Sequence, residues 1–455
     1  MADSWQTFPL EFKGGLLKNI SPLQQGINAP GSATVLQNFE PSIEGGYRKI
    51  EGFSKADSNA LSGSGNIRGI VRFGGAIIAA RGTHIYRSSG SGWTQLTDST
   101  SFPASTATAK VNGATSSTTT LVVDNNTGTI LVGMVVTGTG ISGTVTVQTV
   151  TDQNNLVLSS SQSLSNNVDL TFTEKSPTIG GSGKVRFAEY NFTGTDKLFI
   201  VDGNGKPYIF TGTSLAQQTS LASDFAGADF VTVHLERLFV AIGTTIICSG
   251  AASASSDNFS GSTSFEFDGT ITDIITFREQ LIIFSQNGIK KLTGKTNSDF
   301  AILPITDDVG AIAPDTVQEV GGDVMFLAAD GLRLLGATER IGDFSLAVVS
   351  KSIQPEFSKF TANSTSFSSI TIREKSQYRI FGYNAGFTDD SALGIIGTQF
   401  ASQGGEGMAW AETRGINSFA ATSSYDSETE FIYFANDDGY VYRLEQGISF
   451  DSTDI

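Results

Sequence analysis

Short apolar strands separated by glycine and asparagine turns recur along this chain, and Asp273–Gly294, DIITFREQLIIFSQNGIKKLTG, shows the pattern most plainly. It predicts a strand, a turn at Arg278-Glu279-Gln280, a second strand Leu281–Ser285, an Asn287-Gly288 turn and a third strand ending near Leu292. Asn-Gly is the strongest short hairpin signal, because both central residues of a type I′ turn take positive φ. The pattern recurs upstream in Asp229–Gly250, with Leu238–Ile242 inside, and downstream in Asp315–Gly336, with Val324–Ala328 inside. These units begin 44 and 42 residues apart. Three or four strands at that period is the spacing of propeller blades.

Further units start near Ile67, Lys184, Ser369 and Ile416. The expected fold is therefore all-β, a β-propeller of six or seven blades; the Ser369 unit is the least regular. A nonperiodic sandwich or barrel is the plainer alternative. The interval from Ile67 to Lys184 exceeds one period by roughly 72 residues. That surplus matches Ser105–Ser176, which has no proline and, between Val111 and Thr173, only Asp124, Asp152 and Asp169 as charges. Its Thr/Val alternation predicts half-buried strands in an inserted small β-sandwich module. Residues 1–60 lack the repeat and form an extended N-terminal arm, in which Pro22, Pro30 and Pro41 discourage helix or central strand. The arm's simplest role is to close the propeller by adding a strand to the last blade. The expected division is 1–60 arm, 61–104 first blade, 105–176 inserted module and 177–455 remaining blades. Only Ser350–Phe360 suits a short helix.

The 455 residues carry 29 Lys and Arg against 45 Asp and Glu, a formal net charge of −16, so a phosphate-binding surface is not the default. A single cysteine, Cys248, excludes an internal disulfide and suits a reducing cytosol. MADSWQTFPL does not read as a secretion signal, and no apolar run approaches the roughly 18 residues that a membrane span needs.

Candidate chemistry fails on spacing. At Ile179–Val185 a phosphate-binding loop would need Gly at Thr178 and Ser or Thr at Val185. Asp202-Gly203-Asn204-Gly205 opens like a calcium loop, but Lys206 and Pro207 follow, and a hairpin turn is the better reading. Asp307-Asp308 and Asp437-Asp438 fall at expected turns, where Asp is favoured for backbone reasons. His84 and His234 belong to no metal-binding spacing, and no G-x-S-x-G elbow is present. A carboxylate-pair glycosidase stays open, because sequence does not measure the separation of 45 acids. Trp5, Trp93 and Trp410 do not recur at one blade position, as a repeated sugar site requires. The expectation is a protein that is not an enzyme, with no catalytic, cofactor-binding or metal-binding residue.

Three stretches taken in order carry a resemblance. In the arm, Asn38-Phe39-Glu40 leads to Gly45-Gly46-Tyr47-Arg48-Lys49 and Gly52-Phe53; Ile271–Gly294 is followed by Val309-Gly310-Ala311-Ile312-Ala313; and Gly407–Leu444 holds Met408-Ala409-Trp410 and the last blade. Together they resemble the tail nozzle (tail hub, tail tubular protein B-like) proteins of short-tailed bacteriophages. Members of that family continue with a further β-domain where this chain has Phe450–Ile455. The inserted segment is similar to Thr/Val-rich add-on domains of phage structural proteins.

The resemblance implies a structural virion protein in the tail, synthesised in the host bacterial cytoplasm. It would form a homo-oligomeric ring, a hexamer, below the head-to-tail adaptor protein, serve as the conduit for genome ejection, and dock a tail fibre or receptor-binding protein. Viral DNA would pass without sequence-specific binding, and a wall of net negative charge suits that passage. The arm is the candidate intersubunit contact, with Phe39, Tyr47, Arg48 and Lys49 as interface residues. Tyr and Arg are enriched at interface cores; the competing reading is that they pack on their own blade. An arm devoted to assembly is removable, so a chain lacking residues 1–60 is expected to fold as a monomer. The alternative functions are a stand-alone carbohydrate-binding or glycan-cleaving propeller and an interaction scaffold of the cell.

Overall fold

The second strand of each repeat explains the architecture. Sequences such as AIIAAR (Ala76–Arg81), RLFVAI (Arg237–Ile242) and QLIIFS (Gln280–Ser285) are apolar on both faces. A strand alternates its side chains between two faces, so such a run is stable only when both faces are covered. Here each face meets a different neighbouring sheet. Leu281 and Ile283 pack with Phe239 and Ala241 of the sheet before, and Ile282 and Phe284 with Val324 and Phe326 of the sheet after. Ile78 and Ala80 likewise pack with Leu198 and Ile200, while Ile77 and Ala79 pack with Tyr433 and Ala435 near the other end of the chain. This last contact bends the row of sheets into a ring.

The computed structural model describes residues 14–21, 23–24, 31–42, 46–96, 107–130, 134–173, 179–180, 182–218, 225–251, 262–336, 348–387, 391–402, 405–451 and 453–454. Seven sheets form a seven-bladed β-propeller, with blades at 67–95, 186–217, 230–266, 271–306, 318–334, 366–414 and 420–444. Neighbouring strands within each blade pair antiparallel in sequence order, as Ile271–Phe277, Gln280–Ser285, Ile289–Thr293 and Ala301–Thr306 do in the fourth. Among the described residues the fifth blade has three strands, and Val348 bridges Arg333 beside its last one. The Ser369 unit is a full four-stranded blade, with ten-residue strands Leu393–Ser402 and Gly405–Arg414. A short helix, Gln354–Asn363, carries Pro near its first turn and buries Phe357 and Phe360.

The last blade takes its fourth strand from the other end of the chain. Phe53–Lys55 pairs antiparallel with Val441–Leu444, Phe53 opposite Leu444. The Phe53 ring lies 4.9 Å from Phe434, 5.2 Å from Tyr442 and 4.7 Å from Phe450. A propeller truncated at residue 60 lacks this strand, so residues 1–60 contribute to the last blade as well as to the arm.

Residues 107–173 depart from the expected sandwich. Six strands run in the order Val135–Gly138, Val145–Asp152, Asn155–Gln162, Thr118–Thr127, Ala107–Val111 and Asp169–Thr173. Val135–Gly138 pairs with both Val145–Asp152 and Asp169–Thr173, so the sheet closes into a barrel. The barrel has its own core, including Val111, Val123, Val147, Leu158 and Phe172. A barrel and a sandwich both bury one face of every strand, so alternation alone does not separate them.

The turns hold a second correction. Asn287-Gly288 does not take the positive-φ pair of a type I′ turn; Ser285 Oγ instead accepts a hydrogen bond from the Gly288 N–H at 3.0 Å. The positive-φ pair lies one hairpin earlier, at Arg278 (47°) and Glu279 (60°). The hairpin between first and second strands repeats it at Gly74 and Gly75, at Leu235 and Glu236, and at Gly321 and Gly322. The geometry is constant while the residues vary, and non-glycine residues there carry backbone strain. Exposed Glu279→Gly is expected to stabilise the protein by about 0.5–1 kcal/mol, and Gly74→Ala, whose added methyl has open space, to destabilise it by about 1 kcal/mol. Denaturant midpoints of the two variants check both signs.

Candidate functional site

The arm is seated on the outer edge of the sixth blade. The Leu16 N–H donates to the Trp410 carbonyl (2.7 Å), the Glu412 N–H to the Leu36 carbonyl (2.9 Å) and the Asn38 N–H to the Glu412 carbonyl (2.9 Å). Leu16 and Leu36 are buried in the same core as Trp410 and Phe357. An edge strand with unpaired backbone groups invites foreign pairing, and the arm covers this edge. The chain then turns back, and Phe39–Pro41 pairs with Tyr47–Lys49 in a two-stranded sheet.

Glu40, between those contacts, is fully buried and is the centre of an ion network. Its Oε1 accepts from Arg48 Nε (2.7 Å) and Lys375 Nζ (3.0 Å), and its Oε2 from Arg379 Nη2 (2.8 Å) and Gln377 Nε2 (3.0 Å). Arg379, also fully buried, reaches Glu445 of the last blade at 2.7 Å, and Lys375 pairs with Glu445 as well. Burial alone would raise the Glu40 carboxyl; Arg379 and then Lys375 more than offset it, and its pKa lies below the ordinary value. Arm, sixth blade and seventh blade are thus tied at one point.

The structure splits the four interface residues proposed from sequence. Arg48 faces Glu40 across the small sheet, and the Tyr47 hydroxyl donates to the Gly31 carbonyl at 3.0 Å, so both anchor the arm to its own chain. Phe39 and Lys49 lie opposite each other and point outward, Phe39 with 44% of its surface exposed. Glu40 and Arg379 were not singled out from sequence. They lie 339 residues apart, and no local spacing links them.

A second charged cluster crosses the propeller axis. First-strand segments of several blades surround a cavity of about 240 Å³, and at its lining lie Lys184, Arg186, Asp273 and Asp315. Arg186, from the second blade, donates Nε and Nη2 to the two Asp315 oxygens (2.7 and 2.8 Å) beside the fifth blade. Lys184 pairs with Asp315 at 3.1 Å and also donates to the Phe367 carbonyl of the sixth. Asp315 takes a left-handed φ of 59°, held by these cations, by its N–H on Asp273 Oδ2 (3.1 Å) and by the Ser369 hydroxyl on its carbonyl (2.8 Å). Burial and then the Asp315 charge push the Asp273 carboxyl up to about 7. These bonds link blades on opposite sides of the ring.

Asp202 caps its turn, accepting from the Asn204 and Gly205 N–H groups at 3.0 and 2.9 Å. Among the described residues no three His, Cys, Asp or Glu side chains gather as a metal site. No helix of those residues is long and apolar enough to cross a membrane.

No protein-family model and no curated protein matches the chain. The solved structures that match it are distant. The computationally designed Ika8 protein matches at 9% identity and TM-score 0.37, over 86% of this chain and 99% of that one. The extracellular domain of the BT4673 one-component system of B. thetaiotaomicron matches at 10% identity and TM-score 0.41, over 86% of this chain and 40% of that one. PorZ, a surface component of the type-IX secretion system of Porphyromonas gingivalis, matches at 11% identity and TM-score 0.36, over 81% of this chain and 56% of that one.

Two predictions follow from the charged clusters. Glu40→Ala leaves buried Arg379 short of a partner and is expected to cost about 3 kcal/mol in denaturant unfolding. Asp273 binds a proton in the folded state that the unfolded chain has lost, so its contribution is present in acid and disappears as pH rises toward about 7. Between about pH 5 and pH 8, Asp273→Asn is therefore expected to gain about 2 kcal/mol relative to the wild type, read from paired unfolding curves.

Proposed function

We propose that the chain is a structural subunit of a bacteriophage tail, forming the distal nozzle ring through which the genome leaves and to which tail fibres attach. The reading rests on the resemblance carried by the arm and blades, and one geometric observation supports it. The arm uses Glu40, Tyr47 and Arg48 to fasten itself to its own propeller, and it turns Phe39 and Lys49 outward. An arm whose inner face is consumed in-chain and whose outer face offers an aromatic beside a cation suits contact with a neighbouring subunit.

The propeller axis is spanned by the Arg186–Asp315 pair, so the passage in this reading lies between subunits and not along a propeller axis. The formal charge of −16 per chain favours a wall on which DNA phosphates do not adhere. The closed barrel of residues 107–173, with its own core, is the element assigned to fibre contact. The head-to-tail adaptor is the partner expected on the opposite face of the ring, and the virion tail is the expected location.

Solution mass by light scattering at moderate salt, followed by particle images, tests this directly. A ring of about six chains of 48.0 kDa with a central hole is expected, alone or after addition of the adaptor. A particle that stays at 48.0 kDa with the adaptor present overturns the reading in favour of a glycan-binding propeller. The double variant Phe39→Asp, Lys49→Glu is expected to lose the ring and keep its unfolding midpoint within about 0.5 kcal/mol of stability.

A further inference from the structure

Two carboxyl groups meet beneath the arm. Glu356, on the helix Gln354–Asn363, and Glu412, on the strand Gly405–Arg414, are 9% and 5% exposed and within hydrogen-bonding reach of each other. Glu412 Oε1 has no hydrogen-bond partner among the described residues. The surrounding charges come from every element packed there: Lys18 of the arm, 3.6 Å from Glu356 Oε1; Lys359 of the helix, at 2.8 Å; and Arg414 of the strand.

The arm spans this pair. Its Lys18 and Asn19 N–H groups donate to the Ser352 carbonyl (2.8 and 3.2 Å), just before the helix that carries Glu356. Its Leu36 and Asn38 hold the backbone of Glu412 itself, with Gln37 bridged to Glu412 in parallel. The same residue therefore anchors the arm by its main chain and meets a second acid by its side chain.

Two buried carboxyls in contact resist simultaneous ionisation and share one proton. Burial, and next the Glu356 charge, raise the Glu412 pKa. Burial also acts to raise Glu356, but Lys359 and Lys18 outweigh it and hold that carboxyl low, which makes Glu412 the proton's owner. Lifting the arm hydrates both groups and returns them toward ordinary values. Above the ordinary carboxylate range Glu356 is ionised whether the arm is seated or lifted, so the difference lies in Glu412 alone: there the seated arm binds more protons than the lifted arm, and by linkage its seating weakens as pH rises.

We propose that Glu356 and Glu412 form a proton-operated clasp: the shared proton keeps the arm seated on the sixth blade, and its loss releases the arm. The clasp works within one chain and does not depend on the ring reading above.

Hydrogen exchange on the full chain tests it. The Leu16 and Asn38 amides report arm seating, and the amides of Gln280–Ser285 report the propeller core. Measured in the Asp273→Asn background, which removes the pH dependence assigned above to the axial cluster, and with exchange corrected for its intrinsic pH dependence, arm protection is expected to fall about tenfold between about pH 5 and pH 8 while core protection holds. Glu412→Gln, which donates permanently to Glu356, is expected to keep the arm protected across that range. Arm protection that is flat in that background, a fall shared equally by the core, or the same fall when Glu412→Gln is added overturns the clasp. If Glu412→Gln does not fold, Glu356→Gln carries the same comparison, because the amide again removes the shared proton.

Discussion

The pairing of Phe53–Lys55 with Val441–Leu444 is the constraint on which the ring depends. Every blade here buries both faces, so an open row of seven would leave two apolar faces in water. The contact of Ile77 and Ala79 with Tyr433 and Ala435 covers those faces, and the strand at Phe53 fixes the blade that supplies half of them. Gly52 shows how closely the strand is laid in: a methyl group there would sit 2.0 Å from the Ser449 carbonyl oxygen. The N–H groups of Gly52 and Gln446 complete the seam on the carbonyls of Gly447 and Gly52.

Charge then specifies what apolar burial leaves loose. Apolar faces tolerate small slips between blades, whereas a buried carboxylate with four donors accepts one arrangement. Glu40 draws on the arm and the sixth blade, and Arg379 passes the contact to Glu445 of the seventh. On the axis, Asp315 does the same for the second and fifth blades through Arg186. Replacing such a network by apolar residues is often neutral for stability, so its value lies in register.

The second strands and their period are legible in the sequence because both-faced burial demands continuous apolar runs, although they leave the blade number at six or seven. QLIIFS and RLFVAI carry that signal without help from distant residues. The helix near Gln354–Asn363 is equally local. Turn conformation is not legible in the same way: Arg278-Glu279 adopts a left-handed pair that its residue types disfavour, because the flanking strands impose it, while Asn287-Gly288 does not take the pair it favours. The barrel is missed because closure is a property of which edges meet, and alternation does not record it. Of the candidate site, Tyr47 and Arg48 are visible as residue types, but their duties depend on Gly31 and Glu40. The partners of Glu40 are more than 330 residues away in three of its four bonds, beyond any local pattern.

The seam at Phe53 also sets an order of events on the ribosome. Phe53–Lys55 is translated long before its pairing partner, Val441–Leu444. Until that partner is made the ring has an unmatched edge on either side of the gap, and its closure waits on a pairing of very long sequence separation. On a crowded messenger, an early strand from one nascent chain and a late blade from the next are complementary before either has closed. The strand that seals one ring is therefore also an element two chains could exchange.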